Sequence, residues 1–141
     1  MPVTAQGIFE RAIGLMDEGD EHTGRTDIPE TQAYKHRTLA ILNLLGQECA
    51  AILDRPEGWA DLAEFGTAVS LPEGLARTAL PYGLAAHLFL EENPAAASFF
   101  QQRYEAILAR WAKAGRAEGE GIPLPYGDLA ARDGGGWPRC P

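Results

Sequence analysis

The chain has 141 residues, 45% of them apolar, and carries 12 Lys and Arg against 20 Asp and Glu, a formal net charge of −8. That composition suffices for one core of modest size, and the lack of any basic stripe excludes tight nucleic-acid binding through phosphate neutralisation. No uninterrupted apolar run approaches the roughly 20 residues of a bilayer span, and the opening MPVTAQGIFERAIGLMDE lacks the basic start and continuous apolar core of a signal peptide, so no membrane association is expected.

Thr4 is placed to cap a first helix running to about Glu18, with Ile8, Phe9, Ala12, Ile13 and Met16 as its apolar stripe. The segment Gly19–Asp27, GDEHTGRTD, is polar, has two glycines and no periodicity, and reads as a mobile surface loop. Asp27-Ile28-Pro29-Glu30 and Ser70-Leu71-Pro72-Glu73 both match a capping box and predict two helix starts.

A second helix is expected over about Ile28–Asp54, with Thr38, Ile41, Leu45, Cys49 and Ile52 in one stripe that Leu39, Leu42 and Leu53 widen. Such a broad apolar girth predicts the central helix of a bundle. Gly46 lies inside it; since an interior glycine costs roughly 1 kcal/mol relative to alanine, close approach of a neighbouring helix is the expected reason. Arg55-Pro56-Glu57-Gly58 ends the helix, and Trp59, Leu62 and Phe65 predict a short turn or ordered loop closing one end of the bundle. Ala68-Val69 has the character of a short extended piece without an evident partner strand.

A third helix is expected over about Leu71–Glu91, with Leu80, Leu84, Ala85, Leu88 and Phe89 on one face, and with Pro81 predicting a kink or a break near Leu80. Asn93 and Pro94 form a helix start, and Phe100, Tyr104, Ile107, Leu108 and Trp111 line one face of a fourth helix reaching about Ala114. The last two helices predict an antiparallel hairpin. The expected fold is therefore all-α: a small bundle of four to five helices over residues 1–114 with a long central helix and a kinked third helix. A Gly/Pro-rich tail follows over 115–141. In that tail Ile122, Leu124, Tyr126, Leu129 and Trp137 are candidate subunit-contact residues; the plain alternative is a disordered terminus with incidental hydrophobes.

The residues point to no catalytic chemistry. His22 neighbours Asp20 and Glu21 but lies in a glycine-bearing loop, where a solvated acidic cluster is the expected reading rather than a metal site. His36, between Lys35 and Arg37, is expected to be exposed, and His87, beside Ala86 and Leu88, to be packed or partly exposed. No HExxH, GxxxxGK[ST], GxSxG or GxGxxG occurs. Glu91-Glu92 and the Glu118/Glu120 pair read as solvated charge. Cys49 reads as a buried small hydrophobe and Cys140 as a free thiol near the chain end, implying a reducing compartment, although a disulfide between them is compatible with the sequence. No enzyme, cofactor, metal or small-molecule substrate is expected.

Residues Gln32 to Leu108 resemble the small head–tail connector (adaptor) proteins of tailed bacteriophages and prophages. The resemblance is carried by YKHRTLAILNLLGQECA at Tyr34–Ala50, by VSLPEGLARTALPYGLAAHLFLEENPAAASFFQQRYEAIL at Val69–Leu108, and by an IPLPYGD segment in the tail. Its strongest part is an apolar helix that ends in two acidic residues and turns into a helix bearing a Phe and a Tyr. The resemblance implies a structural virion protein that assembles as a homo-oligomeric ring between portal and tail-completion proteins. Residues Gly19–Asp27 and the tail would contact neighbours, and DNA would pass through non-specifically. The implied location is the virion, with the bacterial host cytoplasm during assembly. Two other classes remain in view. One is a small cytoplasmic regulatory or binding module acting through an acidic surface, which gene neighbourhood would separate from a connector. The other is an enzyme built around His87 and Pro81, which would require a deep polar pocket holding that histidine beside a carboxylate.

Overall fold

The computed structural model describes residues 2–118, with side chains described as far as 115. The described chain is all-α: α1 (Ala5–Met16), α2 (Gln32–Ile52, entered through a 3-10 turn at Pro29–Thr31), α3 (Glu73–Leu88) and α4 (Pro94–Glu118). The face assigned to α1 is the buried one: Ile8, Phe9, Ala12 and Ile13 are fully enclosed. Thr4 caps α1 by accepting from the Gly7 amide at 3.2 Å. Asp17 ends it in the left-handed region, with the Asp17 and Glu18 amides returning to the Gly14 and Ile13 carbonyls.

The centre of the bundle is α3 rather than α2. It packs against each of the other three helices, and ten of its sixteen residues are buried, against seven of twenty-one in α2. Small side chains explain this position: Ala76, Ala79, Ala85, Ala86 and Gly83 let neighbouring helices approach from several sides. A Cβ on Gly83 would lie 2.9 Å from both a Leu45 methyl and the Tyr104 ring, so α2, α3 and α4 meet at that residue. The helix continues without interruption through Pro81, so the two-piece outcome does not occur.

The expected hairpin of α3 and α4 forms. Gly83 faces Tyr104 and Gly74 faces Trp111, a pairing in which sequence numbers run in opposite directions. Asn93 caps α4 through its side-chain oxygen, which accepts from the Ala96 amide at 3.2 Å.

Neither Asp27 nor Ser70 occupies the expected cap position. The Asp27 carboxylate accepts instead from Lys35 Nζ at 2.6 Å, Gln32 at 2.7 Å and Gln6 at 2.9 Å, and the Ile28 amide is taken by the Thr31 hydroxyl. Ser70 Oγ accepts from the Ala60 amide, and Pro72 occupies the cap position of α3 without a side-chain cap bond.

The segment between α2 and α3 is an ordered loop that closes the bundle. Asn43 of α2 holds it: its side-chain oxygen accepts from Trp59 Nε1 at 3.0 Å and from the Leu62 amide at 2.7 Å, while its side-chain nitrogen donates to the Leu62 carbonyl. Trp59 and Leu62 are buried. Gly46 does mark a close approach, but the neighbour is the Trp59 indole, which a Cβ would overlap, and not a helix. Farther on, Phe65 meets Phe9 edge to face. Val69 finds a partner in Val3, whose carbonyl accepts its amide at 2.8 Å within an isolated antiparallel bridge between Thr4 and Ala68.

Candidate functional site

The five candidate contact residues Ile122, Leu124, Tyr126, Leu129 and Trp137 lie outside the described residues, as does Cys140. The other expected contact segment, Gly19–Asp27, is a surface loop as expected, exposed over Glu21–Arg25, and it carries hydrogen bonds of its own. Asp20 accepts from the His22 and Thr23 amides, its carbonyl accepts from Gly24, and its amide donates to the Arg25 carbonyl. The Thr26 hydroxyl ties the loop to Glu10 of α1. The hydrogen bond from the His22 amide holds the Asp20 carboxyl below its usual range. Among the described residues no three metal-ligating side chains converge, so the loop remains a hydrogen-bonded turn.

All three histidines are exposed. His87 opens onto a groove shared with Glu48, whereas Pro81 lines a different cleft, so the two residues named for an enzyme are not brought together. Glu48 is already engaged by the Tyr104 hydroxyl, which donates to it at 2.8 Å while lying 3.5 Å from the Cys49 sulfur. Burial pushes the Cys49 thiol and the Tyr104 phenol upward, which keeps both protonated and unreactive. Glu92 is exposed, as expected of solvated charge, and also accepts from the Tyr34 hydroxyl at 2.6 Å; Glu18 lies 3.0 Å from the same phenol oxygen, whose single proton serves one carboxylate at a time. Burial first, and then these two carboxylates, raise the Tyr34 phenol. The cluster brings the segment after α1 and the α3–α4 turn to Tyr34 of α2.

Two open surfaces stand out. The first is the groove of about 660 Å³ between α2 and the α3–α4 turn, walled by Leu44, Leu45, Ala86, Leu90, Pro94 and Ala97. Leu44 and Leu90 are 70% and 61% exposed, unusual for leucines that share one concavity. Leu44 falls outside the apolar stripes read from α2, and that departure was its sequence signal.

The second is a cleft of about 910 Å³ where α1, α3 and α4 splay apart. Arg11, Arg77, Arg103 and Arg110 line it, and none of its lining residues among the described ones is acidic. Leu15, Tyr82, Ile107 and Trp111 supply an apolar floor. The Arg103 guanidinium stands 5.5 Å from the Tyr82 ring centre, a separation that suits a cation–π contact. In a chain with eight more acidic than basic residues, four arginines among the lining of one cavity are a concentration of basic side chains that the overall charge does not suggest. Sequence reading did not find this cleft, because its arginines are spread over 100 positions and share no motif.

No family model, curated protein or solved structure matches the chain.

Proposed function

We propose that this protein is a structural head–tail connector (adaptor) of a tailed bacteriophage or prophage, acting as a homo-oligomeric ring between portal and tail. The observation that carries the reading is the apolar groove at Leu44 and Leu90. A monomer leaves it in water, where burying its leucines in a neighbour would contribute roughly 1.5–3 kcal/mol for each side chain fully covered. The segment of strongest resemblance supports the same reading by folding as one unit, the α3–α4 hairpin, whose turn forms the groove's rim at Leu90 and Pro94. In the ring, a partner copy covers this groove, and the Gly19–Asp27 loop lies at the periphery for further contacts. The virion and its host cytoplasm are the corresponding locations, and DNA passes the ring without recognition.

Native mass spectrometry and electron microscopy of concentrated protein, with and without purified portal, test the proposal. Rings or portal-bound oligomers are expected. A persistent monomer under both conditions overturns it and leaves the regulatory-module reading.

A further inference from the structure

With Arg103 and Arg110 on its α4 wall and an apolar floor, the cleft suits an occupant that is both acidic and apolar. The chain carries one next to it. The C-terminal turns of α4, at Arg110, Trp111 and Ala114, form one wall, and the described part of α4 runs to Glu118. The 23 residues that follow begin GEGIPLPYGDL: two carboxylates, Glu120 and Asp128, no base, and the apolar side chains Ile122, Leu124, Tyr126 and Leu129. We propose that the cleft between α1, α3 and α4 is the seat of the chain's own segment 119–129, which folds back along α4.

The dimensions agree. The cleft-lining residues of α4 run from Arg103 to Ala114, which at 1.5 Å per residue is about 17 Å. Ile122–Asp128, extended and stiffened by Pro123 and Pro125, spans about 20 Å at 3.1 Å per residue. Gly119 and Gly121 supply the backbone freedom to reverse direction after α4. Running antiparallel to α4, Ile122 would start at the Ala114 end of the cleft and Asp128 would reach its Arg103 end. Glu120 stays near Arg110. The tether favours the intramolecular seat, because a short flexible link gives the segment an effective concentration in the millimolar range that a second copy in dilute solution does not reach. The seat covers the candidate contact residues of a free subunit. It does not depend on the connector reading: a chain that never forms rings would still dock its own tail.

Paramagnetic NMR on the full chain tests this. A nitroxide is placed on Gly134→Cys in a Cys140→Ser background; Cys49 is buried and stays unlabelled. The amide signals of Thr78, Tyr82, Arg103 and Ile107 should lose more height relative to the reduced label than those of α2, which supplies no lining residue and lies behind α3. Mixing nitroxide-bearing chains of natural isotopic abundance with ¹⁵N chains lacking the label should produce no loss. Arg103→Glu with Arg110→Glu, both on exposed positions, should abolish the effect while leaving the α2 signals in place. Adding Glu120→Arg with Asp128→Arg should restore it. The inference is overturned by an absence of broadening in the parent chain, by broadening that survives the charge reversal, or by broadening that appears between chains in the mixed sample.

Discussion

Asn43 fixes the long irregular segment between α2 and α3, and it does so by satisfying polar groups of the buried residues Trp59 and Leu62. The Trp59 indole N–H and both backbone groups of Leu62 depend on its one amide. Leaving buried donors and acceptors unpaired costs about 1–3 kcal/mol each. Asn43→Ala should therefore destabilise the protein by about 2–3 kcal/mol in urea unfolding, with a redder Trp59 emission before the main transition. Asp27 makes a prediction in pH. Hydrogen bonds from Lys35, Gln32 and Gln6 lower its pKa from 3.8 to about 2. Between those values the unfolded chain binds more protons than the folded one, so stability rises with pH across the window. The contribution is fully present above about pH 4 and is lost as the pH falls towards 2. Thermal unfolding of Asp27→Asn should show a flatter dependence on pH over that range than the parent chain.

At the scale of single elements, helix starts show when local chemistry is enough. Thr4 and Asn93 cap as expected, while Asp27 and Ser70 do not. A capping side chain accepts from the amide two or three residues ahead. After Asp27 and Ser70 the residue two ahead is Pro29 or Pro72, which has no amide hydrogen. One of two local donors is thus missing, and partners elsewhere in the fold take the oxygen: Lys35, Gln32 and Gln6 for Asp27, and the Ala60 amide for Ser70. Asn93 keeps both donors. Asn93→Ala should accordingly lower stability by about 1 kcal/mol, measured by denaturant midpoint, and should raise hydrogen exchange in the first turn of α4. The α3–α4 hairpin was legible for a related reason: its turn, its apolar spacing and its break all lie within a few residues of one another. The central place of α3 was not. Its girth is small rather than greasy, and alanines reveal a centre only when the helices that approach them are known.

For the whole molecule, charge and apolar exposure are both segregated. The net charge of −8 coexists with a cleft of four arginines, and the two most exposed leucines among the described residues, Leu44 and Leu90, meet in a different groove, one that Glu48 and no arginine or lysine lines. If the groove joins subunits, Leu44→Lys with Leu90→Lys should shift native mass spectra of concentrated protein from oligomer to monomer. The same change should leave thermal stability of the monomer within about 0.5 kcal/mol, as expected of exposed positions.

From its sequence alone the protein is determined to be helical, with the buried faces of α1 and α4 assigned residue by residue and with breaks at Arg55–Gly58 and Glu92–Pro94. Those features depend on backbone chemistry and periodicity inside one or two turns. Only the tertiary structure decided which helix lies at the centre, that Trp59 rather than a helix fills the space at Gly46, that Val69 pairs with Val3, and that Arg11, Arg77, Arg103 and Arg110 face one cavity. Each of these joins residues far apart along the chain, and whether such residues meet is set by the packing of all the helices at once, which no local pattern encodes.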